Sequence, residues 1–177
     1  KNPIYAAMIE SVDMALGRVL DVLDELQLAK DTVVIFTSDN GGLAGQGPWA
    51  ATSNLPLREG KGYPYEGGIR VPLIIRWPGT IHAGSVCDVP VTSVDLFATI
   101  CQAAGVGLPK DRPIDGQSLL PLLRQTGSLQ RGAIFWHFPH YRGNDVVPYS
   151  IVRQGDWKLI KRYQGRPFEL FNLRMDL

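Results

Sequence analysis

An apolar run that ends abruptly in a polar turn constrains this chain more than any other feature. Thr32-Val33-Val34-Ile35-Phe36-Thr37 is followed at once by Ser38-Asp39-Asn40-Gly41-Gly42. The run is rich in β-branched residues and bounded by turn residues, so it reads as a buried strand. In open α/β sheets, ligands bind beyond the carboxyl ends of strands, which is where Asp39 and Asn40 fall. A carboxylate and an amide carbonyl are hard oxygen donors of the kind that Ca²⁺ and Mg²⁺ accept. Gly41 and Gly42 let the backbone turn without a Cβ in the way. Taken alone, the same residues fit a plain turn with a solvated carboxylate.

A loop of about 30 residues follows, from Ser38 to Gly68, and loops of that length inside compact domains are functional or disordered. Trp49, Tyr63 and Tyr65 offer it apolar anchors, which favours an ordered, functional loop. Near its end, Lys61 stands between Gly60 and Gly62. A cation on a flexible backbone suits an oxyanion site, although most lysines are simply solvated.

Around this stretch the pattern is that of an α/β chain. Pro3 to about Leu28 reads as a helix, with Met8, Val12, Ala15, Leu16, Val19, Leu20, Leu23 and Leu26 at steps of three and four. Pro3 suits a first helical turn, and the helix is expected to cover one face of a sheet. Val71–Trp77 reads as a second buried strand closed by Trp77-Pro78-Gly79. Ser85–Val91 reads as a short strand, and Thr92 to about Ala104 as a helix with Gly105 at C′. Ser118–Arg124 reads as a short apolar helix. Ala133–Phe138, Tyr149–Gln154, Trp157–Arg162 and Phe168–Leu173 read as four short strands, with Gly155-Asp156 as a tight hairpin, and this argues for an antiparallel sheet.

Three motifs occur in order. They are Thr37-Ser38-Asp39-Asn40-Gly41-Gly42, Pro56-Leu57-Arg58-Glu59-Gly60-Lys61-Gly62, and Tyr65-Glu66-Gly67-Gly68-Ile69-Arg70-Val71-Pro72. Together they resemble the type I, formylglycine-dependent sulfatases of the alkaline phosphatase superfamily. The resemblance runs from Tyr5-Ala6-Ala7-Met8 to Asp156-Trp157-Lys158-Leu159-Ile160. It implies an α/β fold, part of an alkaline phosphatase-like α/β sandwich, followed by a small C-terminal antiparallel sheet subdomain. Residues 1–128 would be the C-terminal half of the catalytic domain and 129–177 the small subdomain, with one edge or face bare. By the same resemblance, Asp39 and Asn40 match two ligands of a calcium ion (Mg²⁺ being the alternative). Lys61 matches a catalytic lysine that contacts sulfate. The substrate would be a sulfated small molecule or a sulfated glycan, met in a periplasmic, secreted or lysosomal compartment.

The family's nucleophile is a formylglycine made from the Cys or Ser of a C/S-x-P-x-R motif. Cys87 is followed by Asp88-Val89-Pro90, with the proline one place late, and Cys101 by Gln102-Ala103-Ala104. Neither fits. The chain therefore resembles the C-terminal portion of an arylsulfatase-like enzyme, and it is expected to be inactive without the remainder of the same polypeptide. A phosphate or phosphonate ester hydrolase of the superfamily and a non-catalytic binding module are the alternatives.

The remaining features exclude other classes. With 18 basic and 17 acidic residues, net charge is +1 and no basic stripe stands out, so nucleic acid is not an expected partner. No apolar run approaches the roughly 20 residues of a membrane span. The two cysteines cannot form a disulfide framework. His137 and His140, three apart on a strand with Pro139 between them, would point to opposite faces, and His82 stands alone, so no zinc site is read. Arg70 is expected to pair with a nearby acid.

Overall fold

The computed structural model describes residues 2–44, 50–143 and 145–176. Trp49 lies outside them. Contacts divide the chain into two compact units: Lys1–Val22, Phe36–Ile74 and Gly132–Leu177 in one, Leu23–Ile35 and Ile75–Arg131 in the other.

Helix α1 spans Pro3–Glu25. Asn2 caps it, its Oδ1 accepting from Tyr5 N–H at 3.1 Å, and Pro3 follows where a missing N–H costs nothing. At the other end Gln27 takes φ 57°. Leu28 N–H donates to Leu23 O at 2.8 Å and Gln27 N–H to Asp24 O at 3.0 Å, a Schellman closure. The expected burial of its apolar face is not found. No residue of α1 is buried, and Ile4, Met8, Val12 and Val19 are 73, 60, 48 and 52% exposed. The sequence period is helical, yet the described residues provide nothing that covers the face it creates.

Strand β1, Val34–Thr37, pairs with β2, Leu73–Arg76, in a two-stranded sheet. Both are half-buried rather than buried as expected, because each has only one strand neighbour among the described residues. Thr37 Oγ1 donates to Pro72 O at 2.9 Å. The turn after β2 forms as read, with Gly79 at φ 82° and Thr80 N–H donating to Trp77 O at 3.1 Å. Ser85–Val91 is not a strand. Ser85 through Val89 are exposed, Val86 at 87%, and no ladder partner lies beside them among the described residues.

The second unit is organised by helix α3, Val94–Ala103. Gly105 adopts φ 69°, and Val106 N–H donates to Cys101 O at 2.8 Å, the predicted glycine C-cap. Ala98 of this helix is buried, as are Leu119 and Leu120, the last opening the one-turn helix α4, Leu120–Leu123. Leu119 N–H donates to Thr99 Oγ1 at 2.9 Å.

The first unit ends in an antiparallel sheet ordered β3-β4-β5-β6, comprising Ile134–Phe138, Tyr149–Gln154, Trp157–Arg162 and Phe168–Asn172. The register places Ile151 opposite Ile160, and both are buried on the inner face. Full burial of one such side chain is worth about 1.5–3 kcal/mol. Gly155 turns the β4–β5 hairpin at φ 57°, as the sequence required. The inner face closes on Tyr65, which joins Val146, Tyr149, Ile151 and Ile160 in one core cluster. The outer face is bare among the described residues, with Phe135, Trp157, Phe168 and Leu170 all more than half exposed.

Candidate functional site

Five glycines hold the site together, four by letting backbones touch and Gly42 by admitting side chains. A Cβ on Gly41 would meet Gly67 O at 1.7 Å, one on Gly60 would meet Gly42 O at 2.4 Å, and one on Gly67 would meet Glu59 O at 2.2 Å. A Cβ on Gly68 would meet Tyr63 O at 2.2 Å, and one on Gly42 the Thr52 methyl at 2.5 Å. No other residue type fits such approaches. Hydrogen bonds fix the same junctions. Gly41 N–H donates to Gly68 O at 2.9 Å, Gly67 N–H to Arg58 O at 2.8 Å, and Lys61 N–H to Gly42 O at 3.1 Å. Asn54 completes the knot, its Nδ2 donating to Gly42 O, Glu59 O and Gly67 O at 3.0, 2.9 and 3.1 Å.

This junction places the two predicted halves of the site beside each other through the backbone. Asp39 and Asn40 stand on the turn just after β1, Asp39 exposed and Asn40 half-buried. Asn40 Nδ2 donates to Asp39 Oδ1. Ser38 Oγ donates to the Asn40 backbone carbonyl at 2.9 Å, while Asn40 Oδ1 and Asp39 Oδ2 accept no hydrogen bond among the described residues. Lys61 is exposed, and its backbone is bonded two residues beyond Asn40. Two adjacent hard oxygens suit a Ca²⁺ or Mg²⁺ ion, but about six to eight donors fill a calcium shell. Among the described residues no group of three or more His, Cys, Asp or Glu could hold a metal. The fit is therefore to part of a shell.

The loop that carries Lys61 ends in the one-turn helix α2, Glu66–Ile69, where the sequence suggested only loop. The inner face of the C-terminal sheet grips the residues around it. Tyr65 OH donates to Glu169 Oε2 at 2.7 Å, Arg162 donates to the Tyr65 hydroxyl, and Arg162 Nε lies 3.0 Å from Glu169 Oε1. The Arg58 guanidinium lies 3.7 Å from the Tyr65 ring centre. Burial first, then the bond to Glu169, pushes the Tyr65 hydroxyl above the usual tyrosine range. Tyr63 donates to Asp145, which raises its own pKa, and Tyr149 OH donates to Gly62 O at 3.3 Å. Lys158 Nζ donates to Glu66 Oε1 at 2.8 Å. Burial pulls the Lys158 ammonium below the ordinary lysine range, against the opposing pull of Glu66.

Several of these residues escaped the sequence reading. Glu66 lies inside a quoted motif but had been given no task. Lys158, Arg162 and Glu169 occupy inward positions of alternating strands. A charge at an inward position is the signal that could have found them, since buried charges are paired. Arg70, expected to pair with an acid, is exposed and forms no ion pair among the described residues. His137 and His140 do not converge: His137 Nδ1 lies 2.8 Å from Ser150 Oγ, while His140 stands edge-on to Phe138.

Comparison with known proteins identifies the family and the fold. Residues 3–106 match the sulfatase family, and residues 60–177 match the C-terminal region of N-sulphoglucosamine sulphohydrolase. A sulfatase from Formosa agariphila is 40% identical, covering 98% of this chain and 34% of its own length. Human steryl-sulfatase is 40% identical, covering 89% of this chain and 28% of its own length. A solved structure of a protein in complex with its substrate D-glucosamine-2-N,6-O-disulfate superposes with a TM-score of 0.77 at 31% identity, covering 95% of this chain and 33% of that one. The chain thus spans about a third of the length of the relatives it matches. Its mixed helix and sheet architecture is that of the alkaline phosphatase-like fold, and the chain belongs to the sulfatase family.

Proposed function

We propose that the whole protein containing residues 1–177 hydrolyses sulfate esters with the help of a divalent cation, Ca²⁺ in the first instance. The observation that carries this reading is the junction between the two loops. Lys61 N–H bonds Gly42 O at 3.1 Å, so the cationic loop and the Asp39-Asn40 turn share one rigid backbone knot. In this reading the Asp39 carboxylate and the Asn40 amide oxygen supply part of the cation's shell. A cation held there would neutralise sulfate oxygens and orient the ester. The Lys61 ammonium contacts the sulfate and stabilises negative charge as it builds on the leaving side. The nucleophile is supplied outside residues 1–177, which contain no C/S-x-P-x-R sequence. Residues 1–128 contribute the C-terminal half of the catalytic domain and residues 129–177 the small β subdomain, in a periplasmic, secreted or lysosomal protein.

The substrate is a sulfated small molecule or a sulfated glycan. Support comes from both sides, since one relative is named for a steryl sulfate and one solved structure holds a disulfated glucosamine. The test is turnover of an aryl sulfate by the whole protein, with and without a chelator. Hydrolysis that stops with chelator and returns with Ca²⁺ is expected, together with no turnover by residues 1–177 alone. Hydrolysis indifferent to chelator, or turnover by residues 1–177 alone, contradicts the reading.

A further inference from the structure

The Asp39 turn and the Lys61 loop share one buried support. Glu66 is 6% exposed and Lys158 1% exposed, and Lys158 Nζ donates to Glu66 Oε1 at 2.8 Å. Removing two charges from water costs several kcal/mol per ion, and a well-packed apolar pair of similar volume is often as stable or more so. Stability alone therefore gives weak reason for this pair. Its location gives a stronger one. Glu66 opens α2, and the next two residues are the contact points of both loops. Gly67 N–H donates to Arg58 O at 2.8 Å, three residues before Lys61, and Gly68 O accepts from Gly41 N–H at 2.9 Å, one residue after Asn40. Gly67 O also takes the Asn54 amide at 3.1 Å.

Apolar contact is non-directional; the sheet grips the preceding residue, Tyr65, through Glu169 and Arg162, and Glu66 with Lys158 adds a directional bond within α2 itself. A charge-assisted hydrogen bond is short and directional, and it pins the turn at one lateral position. We infer that Glu66 and Lys158 are a positioning pair, which holds the first turn of α2 in the single seat from which Gly67 and Gly68 keep the Asp39 turn and the Lys61 loop in register. The catalytic consequence rests on the function proposed above; the mechanical coupling does not.

Two measurements on the double variant Glu66→Gln/Lys158→Met test this. The first is amide hydrogen exchange. The amides of Gly41, Lys61 and Gly67 should exchange at least about tenfold faster than in the wild type, while the ladder amides of β4 and β5 stay protected. Unchanged exchange at all three overturns the inference. So does equal acceleration of the ladder, because the pair would then hold the whole unit rather than the turn. The second is aryl sulfate turnover by the whole protein. The variant should lose at least about tenfold in kcat with KM within about threefold, and an unchanged kcat overturns the catalytic consequence. If the wild-type protein hydrolyses no sulfate ester, the functional reading fails while the exchange result still decides the coupling.

Discussion

Asp95 shows how much one side chain can organise. Its carboxylate is fully buried and takes hydrogen bonds from Thr92 N–H at 2.8 Å, Gln117 N–H at 2.9 Å and both terminal nitrogens of Arg131. Burial by itself would raise its pKa, but the Arg131 bonds and the two backbone donors outweigh that and hold the carboxyl below the usual aspartate range. A pKa lower in the folded than in the unfolded state contributes stability above the unfolded value, and the contribution is lost as pH falls through the folded one. Asp95→Asn should therefore cost about 3 kcal/mol near neutrality, since it leaves Arg131 without its counter-charge. The gap to wild type should close in acid. Denaturant melts from pH 7 to 3 measure it, and a gap independent of pH would contradict this account. The sequence showed Asp95 only as a helix start, because Gln117 and Arg131 are 22 and 36 residues away and no local pattern encodes them. Glu66 and Lys158, 92 apart, were hidden in the same way. The motifs around Asp39, Asn40 and Lys61 were legible because they are short and contain glycines that the backbone contacts require.

At the scale of elements, legibility followed how local the determinants are. The C-terminal strands were readable from alternation and from Gly155, whose positive φ the hairpin needs. Helix α3 was readable from its start signal near Thr92 and its C′ glycine. Ser85–Val91 misled because its valines suit a strand, whereas a strand also needs a ladder partner, which sequence does not show. Helix α1 was read correctly in kind but overrun at its end. Gln27 rather than glycine takes the left-handed position there, at φ 57°. Gln27→Gly should relieve that strain and stabilise the chain by a few tenths to about 1 kcal/mol. A thermal melt measures it, and a lower melting temperature would show that the closure carries no such strain.

For the whole molecule, the grouping of contacts matters most. The C-terminal sheet belongs to the same compact unit as residues 36–74 and encloses Tyr65 and Glu66 on its inner face. It thereby supports the loop that carries Lys61. The apolar face of α1 and the outer face of the sheet stay exposed among the described residues, while the chain spans about a third of the length of its curated relatives. In the proposed function, Asp39 and Lys61 act together on a sulfate ester in the whole protein. Both side chains are exposed, so replacing either should leave the fold intact. The direct measurement is kcat/KM for an aryl sulfate in whole protein carrying Asp39→Ala or Lys61→Ala. The account predicts a loss of at least about a hundredfold in each with the melting temperature within a few degrees of wild type, and retention of activity within about threefold in either would contradict it.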